Sequence, residues 1–140
     1  MNVDQHPTFA AWLIRQCDDD LDMYGELVAL VCFLETNGSA AFVGYDECHP
    51  VVTSPYLYAL RRTPPTTTTP YADRPPVLRM LFALTIDQDA SVGAVLLLGG
   101  DKSRLGNLWY PPNVAGAHSR LTDWTNHTRA RPLQQRGTRR

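Results

Sequence analysis

Lysine is nearly absent from this 140-residue chain: Lys102 stands alone against twelve arginines. Long apolar runs are missing as well. None approaches the roughly 18 residues that read as a membrane span, so no membrane partner is expected. The opening Met1-Asn2-Val3-Asp4 lacks a basic region followed by an apolar stretch, the make-up of a secretory signal, which points to the cytoplasm. The three cysteines, Cys17, Cys32 and Cys48, are odd in number, widely spaced and form no C-x-x-C pair. That argues against a zinc or redox motif and leaves buried or half-buried free thiols in a reducing cytosol. Catalytic signatures are missing too. There is no H-E-x-x-H and no G-x-S-x-G, and Gly99-Gly100-Asp101-Lys102-Ser103 lacks the G-x-x-x-x-G-K spacing of a phosphate loop. His6, His49, His118 and His127 are scattered over expected loops and termini and read as surface histidines rather than ligands. No metal and no cofactor is expected.

What the chain does have is a strong charge polarity under a net charge of −1. Residues 1–50 hold nine acids and one base, Arg15; residues 51–140 hold twelve bases and five acids. A basic half beside an acidic half suits a polyanion site with a repelling face elsewhere. Length and a hydrophobic content of 44% fit one globular domain, placed at 1–128. The last twelve residues carry five arginines and no acid, and are expected to form a basic, disordered tail over 129–140.

Phe9, Trp12, Leu13 and Gln16 are spaced for a helix. Leu21, Tyr24, Leu27, Val28, Val31 and Leu34 hold a 3.6-residue period over four turns, which predicts a second helix from about 20 to 36. Asp18 to Asp20 suit its N-terminus and Asn37-Gly38 its stop. Residues 40–53 fit a strand or irregular backbone equally. Tyr56 to Arg62 reads as a strand. Residues 63–76, with five threonines and five prolines, read as an extended surface loop. Val77 to Ile86 and Val92 to Leu98 read as a hairpin turning at 87–91, central and covered by helix on one side. A short last helix is expected over 114–127, after Pro111-Pro112. The fold class is therefore α+β: an antiparallel sheet of three to five strands with the N-terminal helices on one face and a short C-terminal helix. Leu27, Val31, Phe82, Val95 and Leu97 are the expected core.

Candidate chemistry lies in the basic half. Arg79 is the sole charge in an apolar strand, a costly placement unless it is paired, for example to Asp101, or reaches a cleft. Arg61 closes one strand; Lys102 and Arg104 follow another; Trp109-Tyr110 come soon after. Cations can hold a phosphate and stabilise a pentacovalent transition state. An aromatic ring can stack on an unpaired base, and a hydroxyl can assist proton transfer at a ribose 2′-OH.

These stretches resemble the RelE/HigB-like toxins of bacterial type II toxin–antitoxin systems, in the phage-derived branch of the RelE/ParE superfamily. Leu57-Tyr58-Ala59-Leu60-Arg61 matches the family's L-K-E-L-R strand, and Arg79-Met80-Leu81-Phe82-Ala83-Leu84 its R-x-L-F strand. Ala94 to Lys102 matches the apolar strand ending G-D-K, and Leu108-Trp109-Tyr110 the aromatic segment before the last helix. The resemblance spans roughly residues 10–127 and is most specific over 77–110. Tyr58 stands where the pattern has lysine, and Ala59 where it has glutamate. The resemblance implies a RelE/ParE-like sheet and an mRNA interferase. Such an enzyme is a metal-independent endoribonuclease that cuts ribosome-bound message by 2′-OH attack, and a cognate antitoxin silences it. Arg61, Arg79 and Lys102 would contact phosphate, and Tyr110 would be the aromatic or acid–base residue. Arg62, Arg104 and Trp109 would add RNA contacts. The expected partners are the antitoxin, the ribosome and mRNA, and self-association is left open. Two other readings fit the same scaffold: a phage-type protein that binds a host or virion partner without chemistry, and a ParE-like gyrase inhibitor.

Overall fold

The computed structural model describes residues 1–38, 47–62 and 77–135. It is an α+β fold. The elements run β1 (Asn2–Gln5), α1 (Pro7–Asp19), α2 (Leu21–Asn37), β2 (Cys48–Pro50), β3 (Leu57–Arg62), β4 (Leu78–Ile86) and β5 (Val92–Asp101). A 3₁₀ turn (Gly106–Trp109), α3 (Tyr110–His127) and β6 (Arg131–Pro132) follow. Among the described residues no helix is long and apolar enough to cross a membrane.

The helical hairpin forms where the periodicity places it. Asp20 ends α1, its N–H donating to Gln16 O, and starts α2, its carboxylate accepting from Met23 N at 3.1 Å. Leu27, Leu30 and Leu34 turn one stripe of α2 into the sheet and are buried; Val31 is half-buried.

Among the described residues the sheet has six strands, in the order β1-β5-β4-β3-β2 with β6 beside β4. It is mixed, because β1 runs parallel to β5. The β4–β5 hairpin closes through Asp87 N to Ser91 O at 2.9 Å, with Ala90 at a φ of 67°. β4 is buried along nearly its whole length because both faces are covered. Leu78, Met80, Phe82 and Leu84 pack toward α1 and α2, and Leu81 and Ala83 toward α3. The N-terminal helices cover one face, as the sequence predicts, and α3 covers the second as well.

β5 carries a bulge. Leu81 pairs with Leu98 and Phe82 with Leu96, leaving Leu97 between them. Arg120 of α3 donates to the Leu97 carbonyl at 2.7 Å. Beyond the bulge, Gly99 lies against Trp12 and Gly100 against Trp109. A Cβ would come within 2.5 Å of the first ring and 3.0 Å of the second. The two glycines therefore serve ring packing and hold no phosphate loop.

Two boundaries differ from the sequence reading. Helix α3 begins at Tyr110, before the prolines, since Pro111 and Pro112 occupy its first turn, where the N–H groups have no intrahelical acceptor. The chain after residue 128 is not all tail. β6 pairs with Thr85 and Ile86, Leu133 N donates to Leu84 O at 2.9 Å, and Ala130 and Gln135 are buried. Residues 136–140 and the loop expected at 63–76 lie outside the described residues.

Candidate functional site

In β3 and β4, alternation decides which side chains meet. Leu57, Ala59 and Arg61 point to the α3 face; Tyr58 and Leu60 point to α1 and α2. Arg61 and Arg79 are direct cross-strand partners, so both project toward α3. Gly100 is Arg79's partner on the other side, and its missing side chain leaves room for the Trp109 indole.

Arg79 is buried. Its Nε donates to Tyr110 Oη at 2.9 Å and its Nη1 to Leu78 O at 2.8 Å. The alternative of a pairing with Asp101 is not what forms. Asp101 instead accepts from Val77 N and Ser103 N, both at 2.9 Å, and so shapes the turn that carries Lys102. The Lys102 ammonium sits 5.2 Å from the Tyr110 ring centroid and donates to Asn107 Oδ1 at 2.9 Å. Burial pushes the Lys102 pKa below the ordinary lysine value, and the charges of Arg79 and Arg61 push it the same way. Among the described residues no carboxylate pairs with Arg79 or Lys102.

A cleft of about 670 Å³ lies between the β2–β3 connection and the start of α3. Arg61, Tyr110, His49, Thr53 and Asn107 give it polar groups, while Val51, Val52, Pro111 and Val114 make an apolar wall. Among the described residues, none that lines it is acidic. His49 Nε2 lies 2.6 Å from Arg61 Nη2. A guanidinium can only donate, so Nε2 is the acceptor in this contact.

The four expected catalytic residues therefore come together, in two ranks. Arg61 and Tyr110 line the cleft, and Lys102 stands at its edge through Asn107. Arg79 lies behind, holding the Tyr110 hydroxyl. The other three expected contacts are not in the cleft. Arg62 is on the opposite face, ion-paired to Glu26 of α2. Trp109 is buried, set edge-on to Tyr110 at 5.3 Å, and cannot stack on a base. Arg104 is exposed on the turn after β5. Tyr58 does not take over for a lysine: it is buried, stacked on Phe82 at 5.4 Å on the α1–α2 side.

Sequence reasoning missed His49 and Asn107. His49 sits on a three-residue strand, too short to show alternation, and Asn107 carries no motif. His6, read as a surface residue, is buried. Its Nδ1 accepts from Thr8 N at the start of α1, and its Nε2 meets Asp123 of α3 at 2.8 Å. No family model, no curated protein and no solved structure matches the chain.

Proposed function

We propose that the protein is an endoribonuclease of the toxin–antitoxin kind, cutting ribosome-bound message by 2′-OH attack and silenced by a cognate antitoxin. One observation carries the reading. Arg61 and Arg79 face each other directly across two strands, with Lys102 near enough for both charges to depress it. Like charges set opposite one another cost stability. An arriving phosphodiester, with its negative charge, relieves that cost. In the transition state, where the charge on phosphorus oxygens grows, the gain is larger.

The roles follow from the groups present. Arg61 and Lys102 hold the phosphate. As Arg61 turns to the phosphate, His49 Nε2 is released to accept the 2′-hydroxyl proton. The 2′-oxygen attacks phosphorus, and the bond from phosphorus to the 5′-oxygen breaks. Tyr110, whose oxygen already accepts from Arg79, keeps its own O–H to protonate the leaving 5′-oxygen. The products are a 2′,3′-cyclic phosphate and a 5′-hydroxyl, and the nucleophile needs no metal. A second reading, a toxin-fold protein that binds a partner without chemistry, draws on Tyr58 and Ala59, which stand where the pattern has lysine and glutamate and are both buried.

The test is regulated expression in a bacterial host, with growth and message integrity followed together, plus end analysis of RNA cut by the purified protein in chelator. Growth arrest with 2′,3′-cyclic phosphate ends is expected. A protein that neither arrests growth nor cuts message overturns the nuclease reading in favour of the binding one.

A further inference from the structure

The cation cluster accounts for only one end of the cleft. At about 670 Å³ the cleft is far larger than a phosphate and falls in the range of about 300–1,000 Å³ typical of small-molecule sites. Its other end is apolar, formed by Val51 and Val52 on one side and Pro111, Val114 and Ala115 on the other. Val52 is 97% exposed, so its side chain contributes almost no burial to the fold. The aromatic residues that might stack a base are already engaged. Trp109 is buried, and the Tyr110 ring is bounded by the Trp109 edge and the Lys102 ammonium.

We propose that this apolar end is a subsite for one unstacked nucleobase of an RNA strand, seated between Val52 and Pro111, with the adjoining phosphate on Arg61 and Lys102. The inference rests on the phosphodiester reading above and adds to it the place of the base. Charge complementarity selects the occupant. An apolar slot joined to a cationic end fits a group that is flat and weakly polar on one side and anionic on the other, which describes a nucleotide unit. Asn107 and Thr53 edge the slot. Asn107 Oδ1 accepts from Lys102, so what this amide has to offer a base is its Nδ2 donors.

Anisotropy titrations with a labelled RNA hexamer and the same hexamer made abasic test this. They are run on the full chain and on Ala115→Leu, at a constant salt concentration that leaves phosphate contacts intact. Ala115 is exposed on α3, so leucine there fills the slot without touching the core, and the melting temperature should match wild type. Wild type should bind the intact hexamer about tenfold or more tightly than the abasic one, the scale set by taking a base face out of water against apolar side chains. In Ala115→Leu that ratio should fall below about threefold, with abasic binding unchanged. Equal binding of the two hexamers by wild type, or an unchanged ratio in the variant, overturns the base subsite and leaves the cation site standing. A nucleoside monophosphate that binds as tightly as the hexamer overturns the assignment to a strand. Failure to bind either hexamer overturns the phosphodiester reading and the subsite together.

Discussion

Arg79 Nε reaches the hydroxyl of Tyr110 at 2.9 Å, tying the second residue of β4 to the first residue of α3. The bond orients a cleft residue from a buried position on the same face of the sheet. It also makes the phenol oxygen one of two acceptors holding a buried guanidinium, the other being Leu78 O.

Stability and activity should therefore part company at this pair. Tyr110→Phe removes an acceptor from a buried charge, and should cost about 1–3 kcal/mol in chemical denaturation. Arg79→Met removes the charge itself and fills its space. The relief of a buried, carboxylate-free charge is set against the donor that Tyr110 Oη and Leu78 O lose, so the net change in stability should be small. RNA cleavage should nonetheless fall in both variants, because Tyr110 loses its hydroxyl in one and its anchor in the other. An Arg79→Met protein that is destabilised by several kcal/mol would show that the guanidinium is a structural keystone instead.

Lys102 links the cluster to pH. Its pKa lies below the ordinary 10.5, so the folded protein releases this proton more readily than the unfolded chain. Stability should rise slightly with pH through the window between the lowered folded value and 10.5. RNA affinity should fall over the same window as the ammonium loses its charge. Arg79→Met removes one of the repelling charges and should shift that alkaline fall to higher pH. Lys102→Ala should slow cleavage about 100- to 1,000-fold, with stability within about 0.5 kcal/mol of wild type. A pH profile that does not move in Arg79→Met would sever Arg79 from Lys102.

The thiols divide by burial, and the expectation of buried or half-buried thiols holds for Cys48 alone. Cys17 and Cys32 are exposed, while burial pushes Cys48 from 9.0 up to about 12, against the pull of Arg61. Two of the three should alkylate in the native protein, and Cys48 only on unfolding. Because the folded state keeps the Cys48 proton longer, stability should fall as pH rises above the unfolded value of 9.0. Rapid labelling of Cys48 in the folded protein would contradict the packing beneath β3.

What was legible in the sequence follows from where periodicity is strong. The α2 stripe and the β4–β5 hairpin carry long apolar patterns, and both formed as read. β1 and β6 were invisible because Asn2–Gln5 and Arg131–Pro132 join the sheet through backbone pairing with no apolar alternation of their own. The gathering of Arg61, Arg79, Lys102 and Tyr110 depended on strand ends and was readable. The error at Arg62 was avoidable: neighbours on a strand point to opposite faces, so Arg61 and Arg62 could not share one site. The burial of Trp109 was not readable. It depends on the bulge at Leu97, which turns Gly100 toward α3 and opens the space that the indole fills.

The end of the described chain offers the last test. Gln135, inside what composition marks as a basic tail, is buried, and its N–H donates to Pro55 O at 2.7 Å. Its side-chain amide donates to Val51 O at 3.0 Å and also to Leu57 O. These acceptors flank the connection from β2 to β3, the segment that carries Val52 and Thr53 into the cleft wall. Gln135→Ala leaves those buried carbonyls short of a donor and should cost about 1–3 kcal/mol. Removal of residues 129–140 should cost more, since it also strips β6 from β4. Hydrogen exchange in Gln135→Ala should quicken first at Ser54 and Leu57, whose N–H groups close the same connection on Val51 O and Ser54 Oγ. RNA binding should weaken with it, because the apolar wall is held from this side. A truncated protein as stable as the full chain, with unchanged exchange at those amides, would return residues 129–135 to the status of a tail.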